Sequence, residues 1–189
     1  NLIITDFKSF NLLRKKIKNN KIKIFNNYKS FKKIFKKRID YTMSSISGLD
    51  GLEPTLNIIN KTKIIAIANK ESIICGWSLI ENKLKKYKTE FIPVDSEHFS
   101  IWSLINNHHK KSIDKIYITA SGGPFLKWSN KKIKKATISE ALKHPNWSMG
   151  KKISIDSATM MNKVFEVIET QRIFDLEKSK IEILMHEKS

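Results

Sequence analysis

The sequence contains little that would cross-link the chain or anchor it in a membrane. Among its 189 residues there is one cysteine, Cys75, which excludes an internal disulfide and a zinc site built from several cysteines. We expect Cys75 to pack in the core as a helix residue. No run reaches the ~18 apolar residues that a membrane helix needs, and no secretory signal is visible. The expectation is therefore a cytoplasmic protein with no membrane partner.

Arginine is also scarce, although the chain is strongly basic. It carries 36 Lys+Arg against 18 Asp+Glu, a formal net charge of +18, yet only Arg14, Arg38 and Arg172 are arginines. Arginine is favoured for forked contacts to phosphates and bases, and the lysines are spread along the chain. Because lysine, isoleucine and asparagine are abundant together, we attribute the charge mainly to an A+T-rich genome and expect no nucleic-acid partner. An anion-steering surface and an RNA- or DNA-binding module remain the alternatives.

Apolar runs alternate with segments of helical spacing in the first half of the chain. The continuous apolar run Ile64–Ala68 is typical of a strand buried on both faces. A helix is predicted over 72–86 and a further strand over 91–94. This alternation predicts an α/β domain with a mostly parallel sheet over residues 1–94.

The second half, residues 95–189, has a different pattern and predicts a separate domain. Strands are predicted at 113–119 and 181–185 and a helix at 158–174. Ile153 and Ile155 alternate with polar residues, as in another strand. Residues 120–135 are predicted to be mainly loop, and Thr137 or Ser139 is expected to cap a short helix.

Two carboxylates two residues apart follow the strand predicted at 91–94. In open α/β sheets, ligands gather beyond the carboxyl ends of strands, and Asp95 and Glu97 can converge there on a hard cation such as Mg²⁺ or Mn²⁺. Taken alone, the triplet with Ser96 is more typical of a helix start, in which a cap and an acidic first turn suit the helix dipole.

A second polar group lies on the helix predicted at 158–174. Asn162 and Glu166 are four residues apart and share a face, while Lys163 is predicted to point about a quarter-turn away. An amide, a cation and a carboxylate near one another suit a phosphate beside a metal ion. In isolation, the pattern is more typical of a solvated helix face.

Two loops complete the candidate residues. Ser121-Gly122-Gly123-Pro124 follows a predicted strand and offers backbone amides and a hydroxyl to an anion, although a plain turn has the same composition. The irregular stretch His144–Gly150 carries Trp147, and it is read either as a mobile lid or as a packed surface loop.

The order and residue sequences of five short motifs, taken together, are more specific than any one motif alone. The motifs are Ala68–Ser72 (ANKES), Pro93–His98 (PVDSEH), Ser121–Phe125 (SGGPF), His144–Gly150 (HPNWSMG) and Lys152–Lys163 (KISIDSATMMNK). Together they resemble the 1-deoxy-D-xylulose 5-phosphate reductoisomerase family, strongly over residues 44–169.

The resemblance implies a role for each candidate residue. Three carboxylates would ligate Mg²⁺ or Mn²⁺ and form the catalytic centre with Lys70: Asp95, Glu97 and Glu166. Lys70 and Ser96 would contact the substrate near the metal. The substrate phosphate would be held by Ser121, Ser157, Asn162 and Lys163, with His144 close by. Trp147 and Met149 would lie on the closing lid, and Asn69, Glu71 and Gly150 would touch NADPH.

The resemblance also implies the reaction and the fold. The reaction is the NADPH- and metal-dependent isomerisation and reduction of 1-deoxy-D-xylulose 5-phosphate to 2-C-methyl-D-erythritol 4-phosphate, a step of isoprenoid precursor biosynthesis. Residues 1–94 would be the latter part of a Rossmann-like nucleotide-binding domain. Residues 95–189 would be a truncated α+β catalytic domain.

The chain departs from the pattern of the family in its glycines, of which it has six. None of them forms the Gly-rich dinucleotide loop of the family, so we expect this chain to be a fragment whose activity alone is in doubt. A catalytically inactive remnant is a further alternative. The family implies a homodimer, and a plastid-type organelle is the alternative location if an upstream targeting segment is missing.

Overall fold

Parallel strand pairs form the framework of each half of the chain. The computed structural model describes residues 1–18, 21–105, 112–145 and 147–186. The chain divides into two compact units, Asn1–Ile92 and Pro93–Ser189. This division falls two residues before the boundary that the change in sequence pattern predicts. Within the described ranges, no helix is both long and apolar enough to span a bilayer.

The first unit is built of short parallel strands and helices, as the alternating pattern predicts. β1 and β2 pair in parallel, and a second sheet has the strand order β3-β4-β5, in which β3 and β4 run parallel with Tyr41 opposite Ile64. The strands are β1 (Leu2–Ile3), β2 (Ile24–Phe25), β3 (Ile39–Ser44), β4 (Thr62–Ile67) and β5 (Glu90–Pro93). The helices are α1 (Phe7–Lys16), α2 (Phe31–Ile34), α3 (Leu52–Ile58) and α4 (Lys70–Tyr87).

The core of the first unit lies around β4. Ile65, Ala66 and Ile67 are each at most 1% exposed, which confirms the strand predicted from the continuous apolar run. Cys75, in contrast, is exposed on α4 rather than packed in the core. The buried face of α4 passes instead through Gly76, where a Cβ atom would come within 2.4 Å of Leu52 Cδ1.

The second unit combines one parallel strand pair with several helices. β6 and β7 pair with Ile118 opposite Ile183, and β6, β7, α5 and the end of α9 contribute to one apolar cluster. The helices are α5 (Ser96–Ile105), α6 (Asn130–Ile133), α7 (Ile138–Ala141), α8 (Lys151–Ala158) and α9 (Met161–Phe174), and the strands are β6 (Ile116–Ala120) and β7 (Ile181–Met185). Thr137 caps α7 in a reciprocal capping box with Glu140, in agreement with the expected cap.

The strand predicted from Ile153 and Ile155 is wrong, because these residues belong to α8. The buried residues of α8 are the small Ser154 and Ala158, four positions apart, and small residues leave no helical stripe in an apolar pattern. The single helix predicted over 158–174 is likewise divided. Met160 has a left-handed backbone with φ 61°, which ends α8 and allows α9 to begin in a new direction.

Arg38 binds the start of β4, the last residue of α4 and Thr89, which follows that helix. Its guanidinium donates from Nε to Thr62 O at 3.0 Å, from Nη1 to Tyr87 O at 3.0 Å and from Nη2 to Thr89 Oγ1 at 2.9 Å. The side chain therefore links the start of β4 to the end of α4. Hydrogen bonds from a charged group contribute more than neutral ones.

Replacing Arg38 should destabilise the chain much more than replacing an exposed arginine. We expect Arg38→Met to lower the free energy of unfolding by about 2 kcal/mol or more, because three carbonyl or hydroxyl oxygens each lose a charge-assisted hydrogen bond. Arg14→Met, on the exposed side of α1, should change it by less than about 0.5 kcal/mol. Urea unfolding followed by circular dichroism measures both variants, and equal effects would contradict a stabilising role of the Arg38 hydrogen bonds.

Candidate metal and phosphate site

Three carboxylates from separate parts of the sequence lie together in the second unit. Asp95 directly precedes α5, Glu97 lies in its first turn, and Glu166 lies on α9. One oxygen of each carboxylate lies within 4.8 Å of the others. The triplet around Ser96 is thus both a helix start and part of an acidic cluster. The packing of α5 against α9 brings the two sequence segments together.

The acidic cluster is partly buried, which makes its negative charge costly. Glu166 is 1% exposed. Burial raises its pKa, and the charges of Glu97 and Asp95 add to this effect, while Lys163 opposes it. A group of carboxylate oxygens without a thiolate is the donor set that Mg²⁺ and Mn²⁺ prefer. The donor chemistry and the crowded charge therefore fit a hard divalent cation.

Lys163 lies within the acidic cluster rather than a quarter-turn away from it. Its Nζ lies 2.6 Å from Glu166 Oε2 and 3.3 Å from Glu97 Oε1, and it donates to Thr119 O at 2.6 Å. Residues three apart on a helix are neighbours, and the long lysine side chain covers the remaining distance. Asn162 also donates to Glu166, through its side-chain amide. These two predicted phosphate ligands therefore contact the predicted metal ligands.

A second buried pair, which the sequence patterns did not single out as a site, adjoins the cluster. His98 and Glu169 are both 0% exposed. His98 Nδ1 lies 3.6 Å from Asp95 Oδ1 and 4.0 Å from Glu169 Oε2. Burial alone would lower the pKa of His98, but Asp95, Glu169 and the Glu166 carbonyl outweigh it and the pKa is raised. The available signals were the position of His98 next to Glu97 and the i, i+3 spacing of Glu169 from Glu166.

The loop after β6 closely approaches the end of α8. Gly122 and Gly123 both have positive φ values, 82° and 64°, which favour glycine. A Cβ atom on Gly123 would lie 2.7 Å from the backbone oxygen of Ser157. The glycine pair therefore brings the loop that begins at Ser121 against the backbone at Ser157, and both serines are predicted to hold a phosphate.

His144 links the stretch 144–150 to the same loop. Its Nε2 lies 3.4 Å from Ser121 Oγ, and its Nδ1 accepts a hydrogen bond from the backbone N–H of Trp147 at 3.1 Å. Burial lowers the pKa of His144. Asn146 lies outside the described residues. The described part of the stretch contains no helix or strand, as expected, and the Trp147 side chain is 60% exposed.

The remaining predicted residues lie at helix starts. In the first unit, Asn69 caps α4 by accepting from Ser72 N at 2.5 Å and donating to the backbone oxygens of Ile46 and Gly48. Lys70 and Glu71, both half-buried, form the first turn of α4. In the second unit, Gly150 precedes α8, and Ser96 donates to Glu97 Oε2 at 2.8 Å.

Models of one protein family match both units of this chain. The model for 1-deoxy-D-xylulose 5-phosphate reductoisomerase matches residues 1–76, and the model for the C-terminal domain of that enzyme matches residues 91–174. The chain belongs to the 1-deoxy-D-xylulose 5-phosphate reductoisomerase family.

Individual members of the reductoisomerase family agree with this assignment. The reductoisomerase of Pelagibacter ubique is 63% identical over an alignment of 191 positions, which covers all of this chain and 49% of the relative. That of Wolbachia pipientis from Culex pipiens is 47% identical over 80% of this chain and 39% of the relative. The chain thus spans about half the length of these reductoisomerases, or less.

Solved reductoisomerase structures have the same fold. A crystal structure in complex with NADPH, fosmidomycin and magnesium matches with a TM-score of 0.85 and 36% identity, over 100% of this chain and 49% of the other. The reductoisomerase of Zymomonas mobilis in complex with NADPH matches with a TM-score of 0.87 and 36% identity, over 99% and 48% of the two chains. The predicted fold class, a Rossmann-like part followed by an α+β part, is confirmed by these matches.

Gly123 should be intolerant of any side chain. We expect Gly123→Ala to lower the free energy of unfolding by about 2 kcal/mol or more, because it combines an unfavourable left-handed backbone with a close contact to Ser157. Gly150→Ala is the matched control, since its φ is −61° and no atom lies within 4 Å of the added Cβ. Urea unfolding compares the two variants, and an equal loss in both would contradict the close approach.

Proposed function

We propose that this chain carries part of the active site of an NADPH- and divalent-metal-dependent reductoisomerase. The enzyme would convert 1-deoxy-D-xylulose 5-phosphate to 2-C-methyl-D-erythritol 4-phosphate, in isoprenoid precursor biosynthesis. The observation that carries the proposal is the convergence of Asp95, Glu97 and Glu166 in a member of this family. Relatives crystallised with NADPH and with magnesium support the same cofactors.

The three carboxylates would hold Mg²⁺ or Mn²⁺ beside the reacting end of the substrate. A divalent cation bound there supplies Lewis acidity toward the carbonyl and hydroxyl oxygens of a hydroxy-ketone, which favours rearrangement of its carbon skeleton. Glu166 provides a buried anionic oxygen, and Glu97 a half-buried one. Lys163, close to both, limits the repulsion between them. Lys70 and Ser96 are proposed to contact the substrate near the ion.

The other end of the substrate carries a phosphate, for which this unit has suitable donors. We assign it to Ser121, Ser157, Asn162 and Lys163. The close approach at Gly123 supports the assignment of Ser121 and Ser157. The assignment of Asn162 and Lys163 is supported by their adjacent positions at the start of α9. Charge-assisted hydrogen bonds from an ammonium group are strong contacts for a phosphate. Binding energy from this remote group can be used to orient the reacting end.

The stretch His144–Gly150 is proposed to cover the substrate. The reaction passes through an aldehyde before reduction, and an aldehyde needs protection from water. Trp147 presents a large exposed apolar surface, and His144 connects the stretch to Ser121. Closure of this stretch would bring Trp147 over the bound substrate.

NADPH would supply the hydride for the reduction. We propose that Asn69, Glu71 and Gly150 contact it. The polar atoms of the Asn69 side chain bind the backbone around residues 46–48 and at Ser72, so this residue is suited to shape the loop beside the cofactor. We further propose a cytoplasmic homodimer that accepts manganese as well as magnesium.

A chimaera tests the proposal, since this chain matches about half of its relatives. The chain replaces the matching segment of the Pelagibacter ubique reductoisomerase, and NADPH oxidation is measured with the keto-sugar phosphate and Mg²⁺ or Mn²⁺. We expect turnover, and a loss of at least about 100-fold in Glu166→Gln because the ion supplies several kcal/mol of transition-state stabilisation. Mn²⁺ affinity should fall while circular dichroism stays unchanged. A folded chimaera without activity would overturn the proposal.

Lys163 should matter most for substrates that carry a phosphate. In the chimaera, we expect Lys163→Ala to raise KM for the phosphorylated substrate by about 10-fold or more, and to affect a dephosphorylated analogue much less. Lys135→Ala removes the same charge from an exposed position of the same unit and serves as the control. An equal effect on both substrates would assign Lys163 to the ion alone.

A further inference from the structure

Glu169 is a buried acid for which the proposed reaction has no direct use. It lies on α9, one turn after Glu166, and its exposure is 0%. Removing a carboxylate from water costs several kcal/mol unless a cation or hydrogen-bond donors compensate it. The surroundings of Glu169 therefore indicate what it does.

The imidazole of His98 connects Glu169 to the acidic cluster. This ring is also 0% exposed. Its Nε2 lies 3.0 Å from the backbone oxygen of Glu166, and because a carbonyl oxygen only accepts, Nε2 carries the hydrogen of this bond. Its Nδ1 faces two carboxylates, Asp95 Oδ1 at 3.6 Å and Glu169 Oε2 at 4.0 Å.

His98 thus touches two of the three residues proposed to hold the ion. It contacts the side chain of Asp95 and the backbone of Glu166, and Thr170 Oγ1 donates to the same Glu166 oxygen at 2.8 Å. Glu169 lies beside the edge of the ring that faces Asp95. A substitution of Glu169 can therefore affect the Asp95 side chain through the His98 ring. All three proposed metal ligands remain in such a variant.

We propose that Glu169 is a positioning residue that acts through His98 to orient the carboxylate of Asp95 for the divalent cation. The inference rests on the proposed function. Partners that orient a metal ligand typically contribute 10–100-fold to metal affinity. Glu169 is a positioning residue rather than a catalytic one in this scheme, because its role is exerted through His98.

The same residues have one competing interpretation, a second metal site. One ligand atom each from Asp95, His98 and Glu169 lies within 4.8 Å of the others. The number of bound ions separates the two interpretations, because a second site would add an ion per chain whereas a positioning role leaves one.

Mn²⁺ binding to the chimaera, followed by electron paramagnetic resonance and calorimetry, tests the proposal. We expect Glu169→Gln, which is nearly isosteric, to weaken Mn²⁺ affinity by about 10–100-fold and to leave one ion per chain. NADPH affinity should not change. Glu169→Asp keeps the carboxylate and should restore part of the affinity. Glu177→Gln neutralises an exposed acid of the same unit and is the matched control.

A double-mutant cycle tests the route through the ring. In a His98→Asn background, Glu169→Gln should have little further effect on Mn²⁺ affinity, since the connecting group is already gone. Unchanged affinity in Glu169→Gln, additive effects in the cycle, or two ions per chain would each overturn the positioning role. Should Glu169→Gln fail to fold, Glu169→Asp gives the same comparison. A parent chimaera that binds no Mn²⁺ would instead overturn the proposed function.

Discussion

The packing of α5 against α9 is the contact on which the candidate site depends. It brings Asp95 and Glu97, at the start of one helix, next to Glu166 on the other. Asp95, Glu97 and Glu166 crowd carboxylates together there, with Lys163 and His98 beside them. Crowded carboxylates at a partly buried position oppose folding, so a divalent cation would both complete the site and stabilise the packing of the two helices.

Much of the fold could be predicted from the sequence where burial follows a simple period. β4 is a continuous apolar run because both of its faces are covered, and Ile65 and Ile67 are accordingly buried. α8 had no such signal, since Ser154 and Ala158 form its buried face while Ile155 is 37% exposed. The break between α8 and α9 at Met160 had no signal in the sequence either. A left-handed methionine is a consequence of how α8 and α9 pack rather than of local preference.

The convergence of the three acids could be anticipated from the sequence, but the geometry around them could not. The acids and the residues proposed to hold the phosphate were singled out by the order of their motifs. The direction of Lys163 was not predictable, because a flexible four-carbon side chain adopts the orientation that the surrounding charges favour, here toward Glu97 and Glu166. His98 and Glu169 were missed for a related reason. A single histidine and a helical glutamate are ordinary surface residues in a sequence, and only tertiary packing makes them fully buried.

The first turn of α9 joins the two ends of the proposed site. Lys163 contacts Glu166 and also donates to Thr119, the residue before the last position of β6. Ser121 begins the glycine loop immediately after that strand. A movement of Lys163 would therefore be felt both at the carboxylates and at the loop proposed to hold the phosphate. Since Lys163 is near the carboxylates and near this loop, the ion and the phosphate should not bind independently. The shared ammonium group of Lys163 provides a physical basis for coupling between them.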